Sequence, residues 1–305
     1  SNAPYPYDST WLEFENADTD VIRSPVHDDT FDRYYWVSST TPPQYNTLDR
    51  IKNGDPPFLL GIPVPSGVSV DPSGGSSDIM VSRAYVVTWV SAYGEEGAPS
   101  EPAVATGKQD DTWTVTIPQP NANDLGINRN LTHVRIYRTV TSSGGVATYF
   151  QVAELPITTT NYDDTLTDEQ VSANSQLQSL EWTPPQSDLQ GFTMMPNGIV
   201  ASWRKNELWF SEPYRPHAWP ASYVLTTEYP IVGLGIAGQT LVVCTQGNPE
   251  TASGVNPAYI TTSRLTTLEP CVSRNSIISA PEGVYYASTN GLVLVVPGRA
   301  ENITR

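Results

Sequence analysis

Residues 84–93 read Ala84-Tyr85-Val86-Val87-Thr88-Trp89-Val90-Ser91-Ala92-Tyr93, a run of β-branched and aromatic side chains. Such side chains favour a pleated, half-buried strand. The run closes on a turn, Gly94-Glu95-Glu96-Gly97, followed by Ala98-Pro99-Ser100-Glu101-Pro102. Downstream, Thr112-Trp113-Thr114-Val115-Thr116-Ile117 alternates with period two, and so does Val134-Arg135-Ile136-Tyr137-Arg138-Thr139. Ser142-Ser143-Gly144-Gly145 predicts a hairpin turn into Thr148-Tyr149-Phe150-Gln151-Val152-Ala153. Strands at about ten-residue spacing, with turns between them, predict a β-sandwich over residues 78–165.

Toward the C-terminus, residues 191–305 carry a weak internal repeat. Asn197-Gly198-Ile199-Val200-Ala201-Ser202, Gly238-Gln239-Thr240-Leu241-Val242-Val243-Cys244-Thr245 and Glu282-Gly283-Val284-Tyr285-Tyr286-Ala287-Ser288 each place a strand after a glycine turn. Gly198, Gly238 and Gly283 are offset by roughly 40 and 45 residues, in the range of propeller blades. Second strands are expected over 207–211, 258–263 and 291–296, the last behind an Asn290-Gly291 hairpin turn. One such unit cannot bury both of its faces, so neighbours must stack. Three units fall short of the usual four blades, and leave the repeat incomplete unless another segment or chain joins it. A plain sandwich with coincidental spacing is the alternative.

Toward the N-terminus, residues 4–75 read as an irregular β segment able to pack on the C-terminal region. Trp11, Leu12, Phe14, Val21 and Ile22 suggest one or two strands, and Asp32-Arg33-Tyr34-Tyr35-Trp36-Val37 suggests another. Pro72-Ser73-Gly74-Gly75-Ser76-Ser77 is polar and is expected to be a domain boundary. Residues 166–190 are expected to be a linker, with Thr167-Asp168-Glu169-Gln170 matching the start of a capped short helix. Ser1-Asn2-Ala3 has no initiator Met and reads as a cleaved-tag scar, so a chain interior to a longer gene product is expected.

Composition narrows the function classes. A net charge of −16 disfavours sequence-specific nucleic-acid reading, because phosphate is repelled. No apolar run reaches the ~18 residues of a membrane helix, so no membrane insertion is expected. Charged residues are 16% of the chain and prolines number 27, which speaks against a helical bundle.

Candidate chemistry is sparse. His27, His133 and His217 share no metal-ligand spacing, and neither a metal nor a cofactor is expected. Asp18/Asp20, Asp28/Asp29, Asp110/Asp111 and Asp163/Asp164 pair carboxylates, with solvated turns as the favoured reading over glycosidase or calcium work. No nucleophile elbow or phosphate loop occurs, so no catalytic residue is assigned and no enzyme is expected. Cys244 and Cys271 are expected as buried free thiols; a bridge between them would need Cα atoms within reach, which sequence does not give. The proline-bounded segment Tyr214-Arg215-Pro216-His217-Ala218-Trp219-Pro220 is the candidate contact segment, with Tyr214, Arg215, His217 and Trp219 as its contact residues.

Two resemblances sharpen this reading. Tyr85 to Pro102, with Val134 to Asp164, resembles a fibronectin type III or immunoglobulin-like module in which the last hairpin comes first. The Tyr93-Gly94-Glu95-Glu96-Gly97-Ala98-Pro99 run, Arg135 to Thr139, Asn206 to Pro220 and Glu282 to Ser288 resemble tail-associated structural proteins of bacteriophages and prophages. That resemblance implies an all-β fold, an immunoglobulin/fibronectin III-like sandwich plus a β-propeller-like repeat region. It also implies a non-enzymatic nozzle or tail-tip component, made in the bacterial cytoplasm and located in the virion. Its implied partners are other tail proteins and further copies of itself. A host-surface glycan-binding or depolymerase-associated module is the alternative, motivated by the aromatic cluster around Trp203, Trp209, Tyr214 and Trp219.

Overall fold

Alternation of buried and exposed side chains organises the described residues into six antiparallel sheets. The computed structural model describes residues 12–126, 128–141 and 147–304. Trp11 and the turn expected at Ser142–Gly145 lie outside the described residues. The chain divides into two compact units: Leu60–Pro185 with His217–Ala221, and the remainder, comprising residues up to Leu59, Gln186–Pro216 and Ser222 onward.

The first sheet is a four-stranded meander of β1 (Asp20–Arg23), β2 (Arg33–Val37), β3 (Gln44–Thr47) and β4 (Phe58–Leu59). One face buries Ile22, Tyr35, Tyr45 and Phe58, which stand opposite one another by strand register. Phe14 caps the other face edge-on to Trp36, with ring centroids 5.8 Å apart. Within the stretch expected to be an irregular β segment, residues 20–59 therefore form a regular four-stranded sheet.

The sandwich comprises β5 (Ser69–Ser73), β6 (Met80–Ser91), β7 (Ala103–Lys108), β8 (Thr112–Thr116), β9 (Leu131–Thr141), β10 (Ala147–Pro156) and β11 (Asn161–Asp164). Its sheets run β10-β9-β6-β7 and β11-β8-β5. Tyr85, Val87 and Trp89 of β6, Val134 and Ile136 of β9, and Trp113 and Val115 of β8 meet in one core. The boundary expected at residues 72–77 is corrected here. Ser69–Ser73 is a strand paired with Thr112–Thr116, and the unit begins at Leu60. β5 lies at a sheet edge, where a strand tolerates Pro72. The linker expected at 166–190 is also corrected. Through Pro185 it belongs to the sandwich unit, with Val171 fully buried in that core. The capping box is present, Thr167 Oγ1 accepting from the Gln170 N–H and Gln170 accepting from the Thr167 N–H.

The C-terminal repeat forms three further meanders. The second sheet is β12 (Gln190–Met194), β13 (Val200–Arg204), β14 (Glu207–Phe210) and β15 (Leu225–Thr226). The third is β16 (Ile231–Ala237), β17 (Thr240–Thr245), β18 (Glu250–Ser253) and β19 (Thr261–Arg264). The fourth is β20 (Ile278–Ala280), β21 (Gly283–Ser288), β22 (Gly291–Val296) and β23 (Arg299–Asn302). Each repeat glycine introduces the second strand of its sheet. The strand after β17, expected at 258–263, is instead Glu250–Ser253, and the strand near the expected place is the next one, which begins at Thr261 behind a 3-10 turn over Pro257–Tyr259 capped by Asn256.

Packing is blade-like. Leu241 and Val243 of β17 face the second sheet's core, while Val242 and Cys244 face the fourth sheet's. A strand covered on both faces reads as a continuous apolar run, as Leu241-Val242-Val243-Cys244 does. Gly233 and Gly235 of β16 permit this closeness. A Cβ there would come 2.6 Å from Ile277 and 2.7 Å from Val284. Arg274, just ahead of the fourth sheet, forms an ion pair with Asp20 of β1, which ties the fourth sheet back to the first.

Leu241→Ala is expected to destabilise the repeat unit by about 2–5 kcal/mol in denaturant titration, because its site between two sheets cannot collapse. Leu268→Ala, at a side chain 62% exposed, is expected to change stability by less than about 0.5 kcal/mol.

Candidate functional site

The candidate segment divides at Pro216, where the chain leaves the repeat unit. Tyr214 has a left-handed backbone, φ 60°, which is costly for an aromatic residue. Its N–H donates to the Gly198 carbonyl at 2.9 Å, and its ring lies on Gly198, where a Cβ would come within 2.5 Å of it. Glycine at 198 is thus required by the ring above it, and the ring remains 53% exposed. Next to this turn, Asn197 Nδ2 donates to the Gly254 carbonyl at 3.3 Å. That contact places the exposed Val255 loop beside the turn. Arg215 is half-buried, and its N–H donates to the Glu212 carbonyl at 3.1 Å.

His217 and Trp219 lie in the sandwich unit, and both are buried. This corrects their expected role as contact residues and agrees with the alternative reading of both as packed side chains. The Trp219 N–H donates to the Thr183 carbonyl at 2.8 Å, while Thr183 Oγ1 donates to the Trp219 carbonyl at 2.7 Å. His217 packs edge-on against Trp182, with Nδ1 4.0 Å from Glu95 Oε1. Of the four contact residues, only Tyr214 presents its side chain openly.

Two polar clusters in the sandwich unit escaped the sequence reading. The Glu95-Glu96 turn folds both carboxylates inward. Glu96 accepts from Thr88 (2.6 Å), Tyr137 (2.8 Å) and Arg135 (2.7 Å). Burial, then the Glu96 charge, pushes the Tyr137 phenol well above its ordinary range. On the sandwich's inner side, Arg138 is fully buried and meets Asp164 at 2.9 Å and Asp168 at 2.6 Å. Tyr85 donates to the same Asp164 at 2.7 Å. Period two had already put Arg138 on the face of Val134 and Ile136, the signal that a buried carboxylate must meet it.

The carboxylate pairs serve as local fasteners. Asp110 accepts from the N–H groups of Ser76 (2.9 Å) and Ser77 (2.8 Å), which push its carboxyl down to about 2. Asp111 accepts from Gly75 N–H at 2.7 Å and Lys108 N–H at 2.6 Å. Asp29 holds Arg33 at 2.8 Å, Asp28 lies 2.9 Å from His27, and Asp163 accepts from Thr114 at 2.7 Å. A cleft of about 280 Å³ lined by Arg83, Asp110, Asp111, Thr167 and Asp168 is occupied by these same pairings, Arg83 lying 3.4 Å from Asp168. Among the described residues, no three His, Cys, Asp or Glu side chains gather in a metal-binding group. Compared with known proteins, the chain matches no family model and no curated sequence.

Trp219→Ala is expected to destabilise the sandwich unit by about 3–5 kcal/mol, as for any fully buried Trp. Tyr214→Gly, at a residue already in the left-handed region, is expected to shift stability by less than about 1 kcal/mol. Differential denaturation of the two variants distinguishes a core residue from a surface one. Asp110 predicts a pH effect. Its folded-state carboxyl titrates below the ordinary Asp value of 3.8, so its contribution is present above that value and lost as pH falls toward about 2. The stability gap between wild type and Asp110→Asn should therefore close over that interval in acid unfolding.

Proposed function

We propose that this chain is a non-enzymatic structural protein of a phage or prophage tail, of the nozzle or tail-tip kind. It works by assembling with copies of itself and with other tail proteins, in the virion, after synthesis in the bacterial cytoplasm. The observation that carries the reading is the outer face of the fourth sheet. Register places Ile278, Tyr285 and Leu294 in one row, with Leu292 and Val296 beside them, and the Arg299–Glu301 ion pair borders this apolar area on β23. Ile278 is 60% exposed and Leu292 37%, whereas β17 buries both of its faces. An apolar sheet face left open on a blade-like stack supports assembly by packing against another protein. The polar clusters, whose members are engaged with one another, support a scaffold over a catalyst. The acidic surface suits a conduit for DNA, which it repels.

Immunogold electron microscopy of particles from an induced culture tests this reading, with label expected at the tail or tail tip. Unlabelled intact particles, with antigen on the cell surface or in the medium, would overturn it. That outcome would favour the second reading, a glycan-binding module using the Tyr214 ring held over Gly198. On the assembly reading, Leu292→Lys keeps the melting temperature of the purified chain but lowers its incorporation into particles about tenfold, the effect of about 1.4 kcal/mol.

A further inference from the structure

We propose that Cys244 and Cys271 are an oxidisable pair, which peroxide converts into a disulfide that staples the third sheet to the fourth. Cys244 lies on β17 and is fully buried. Cys271 lies in the connection ahead of the fourth sheet and pairs with Ser288 of β21 in an isolated bridge. The two backbones are neighbours, since the Cys271 N–H donates to the carbonyl of Thr245 at 2.9 Å. Both side chains share one core with Val242, Val284 and Tyr286. A side-chain hydrogen bond couples the two thiols within that core, and the Cys271 thiol also donates to the Ser273 carbonyl at 3.5 Å.

The pair is asymmetric in a way that assigns roles. The hydrogen bond from Cys244 holds the Cys271 thiol below its ordinary range, while the same bond and burial push Cys244 well above it. Cys271 is therefore the sulfur that reaches the thiolate form first, the form that attacks an oxidant. It also lies beneath the Val272–Ser276 turn, whose side chains are exposed or half-buried, so a small oxidant has a short way in.

The chemistry balances in two steps. The Cys271 thiolate attacks one oxygen of hydrogen peroxide, the O–O bond breaks, and Cys271 sulfenic acid and water form once the proton is counted. Cys244 sulfur then attacks the sulfenic sulfur, the S–O bond breaks, and its hydroxide leaves as water with the Cys244 proton. Peroxide is reduced and both sulfurs are oxidised by one electron each. The bridge closes a loop of roughly 27 residues and removes disorder from the unfolded chain.

The test uses the full chain, treated with hydrogen peroxide and then unfolded in an alkylating reagent. Peptide mapping without reductant is expected to yield a Cys244–Cys271 linked peptide. The melting temperature should rise by about 5–10 °C and fall back on reduction. In Cys244→Ala the same treatment should leave a sulfenic acid on Cys271, trapped by dimedone, with no rise in melting temperature. Two alkylated thiols in peroxide-treated wild type, or a Cys271 oxidised onward to sulfinic acid without a linked peptide, would overturn the proposal. Should the alanine variant not fold, the wild-type peptide map decides alone.

Discussion

One guanidinium holds the repeat unit in register. Arg274 stands where all four meanders converge. It forms an ion pair with Asp20 of the first sheet, and its NH1 lies 3.8 Å from Asp18. Its planar charge lies 5.0 Å from the centre of the Trp203 ring in the second sheet. Gly233 of the third sheet leaves it room, since a Cβ there would come 3.4 Å from the Arg274 chain. Arg274 itself leads into β20 of the fourth. Burial raises the Asp20 carboxyl above its usual range, against the pull of Arg274. Arg274 is the more buried partner, and with Asp20 lost it keeps only the longer contact to Asp18. Apolar packing between sheets is non-directional. The ion pair adds the directional constraint that decides which sheet meets which.

The repeat was legible because its signal is local. A glycine turn shortly followed by a run of three or four apolar residues marks β13, β17 and β21, and the turn and the strand sit side by side in the chain. The first sheet carried no such mark. Its turns contain Pro43 and Asp32, a short helix over Leu48–Lys52 separates β3 from β4, and β4 is only two residues long. Only the pairing of each strand with the next defines it. The misplaced boundary has the same cause. Pro72-Ser73-Gly74-Gly75 looks like a linker by composition, yet residues more than thirty positions away hold it, through Asp110, Asp111 and the β8 ladder.

The contact segment failed for a different reason. Prolines and aromatics without periodicity say that a segment is irregular, not which side of it meets water. Trp219 and His217 turn inward because backbone and side-chain groups of Thr183, Trp182 and Glu95 receive them. Tyr214 stays outside because Gly198 supplies a flat backbone seat for its ring. Neither partner is near in sequence. Arg138 is the opposite case. Strict alternation placed it inside the core, and the only physically acceptable consequence was a buried carboxylate, which Asp164 supplies.

The acidity of the chain acquires structure when these pairings are removed from it. Arg33, Arg135, Arg138 and Arg274 are engaged by carboxylates of their own unit. Much of the positive charge is consumed internally, and the excess of carboxylates faces solvent. A surface of that kind keeps polyanions away and offers few cations for docking. On the assembly reading proposed above, contacts with another protein come from uncharged area. The fourth sheet has it: Gly291-Leu292-Val293-Leu294-Val295-Val296 is as continuously apolar as Leu241-Val242-Val243-Cys244, the run in β17 that neighbouring sheets cover on both sides. A strand facing water on one side would ordinarily alternate with polar residues. On the proposed assembly reading, this composition of β22 answers to a second face that a neighbouring protein covers.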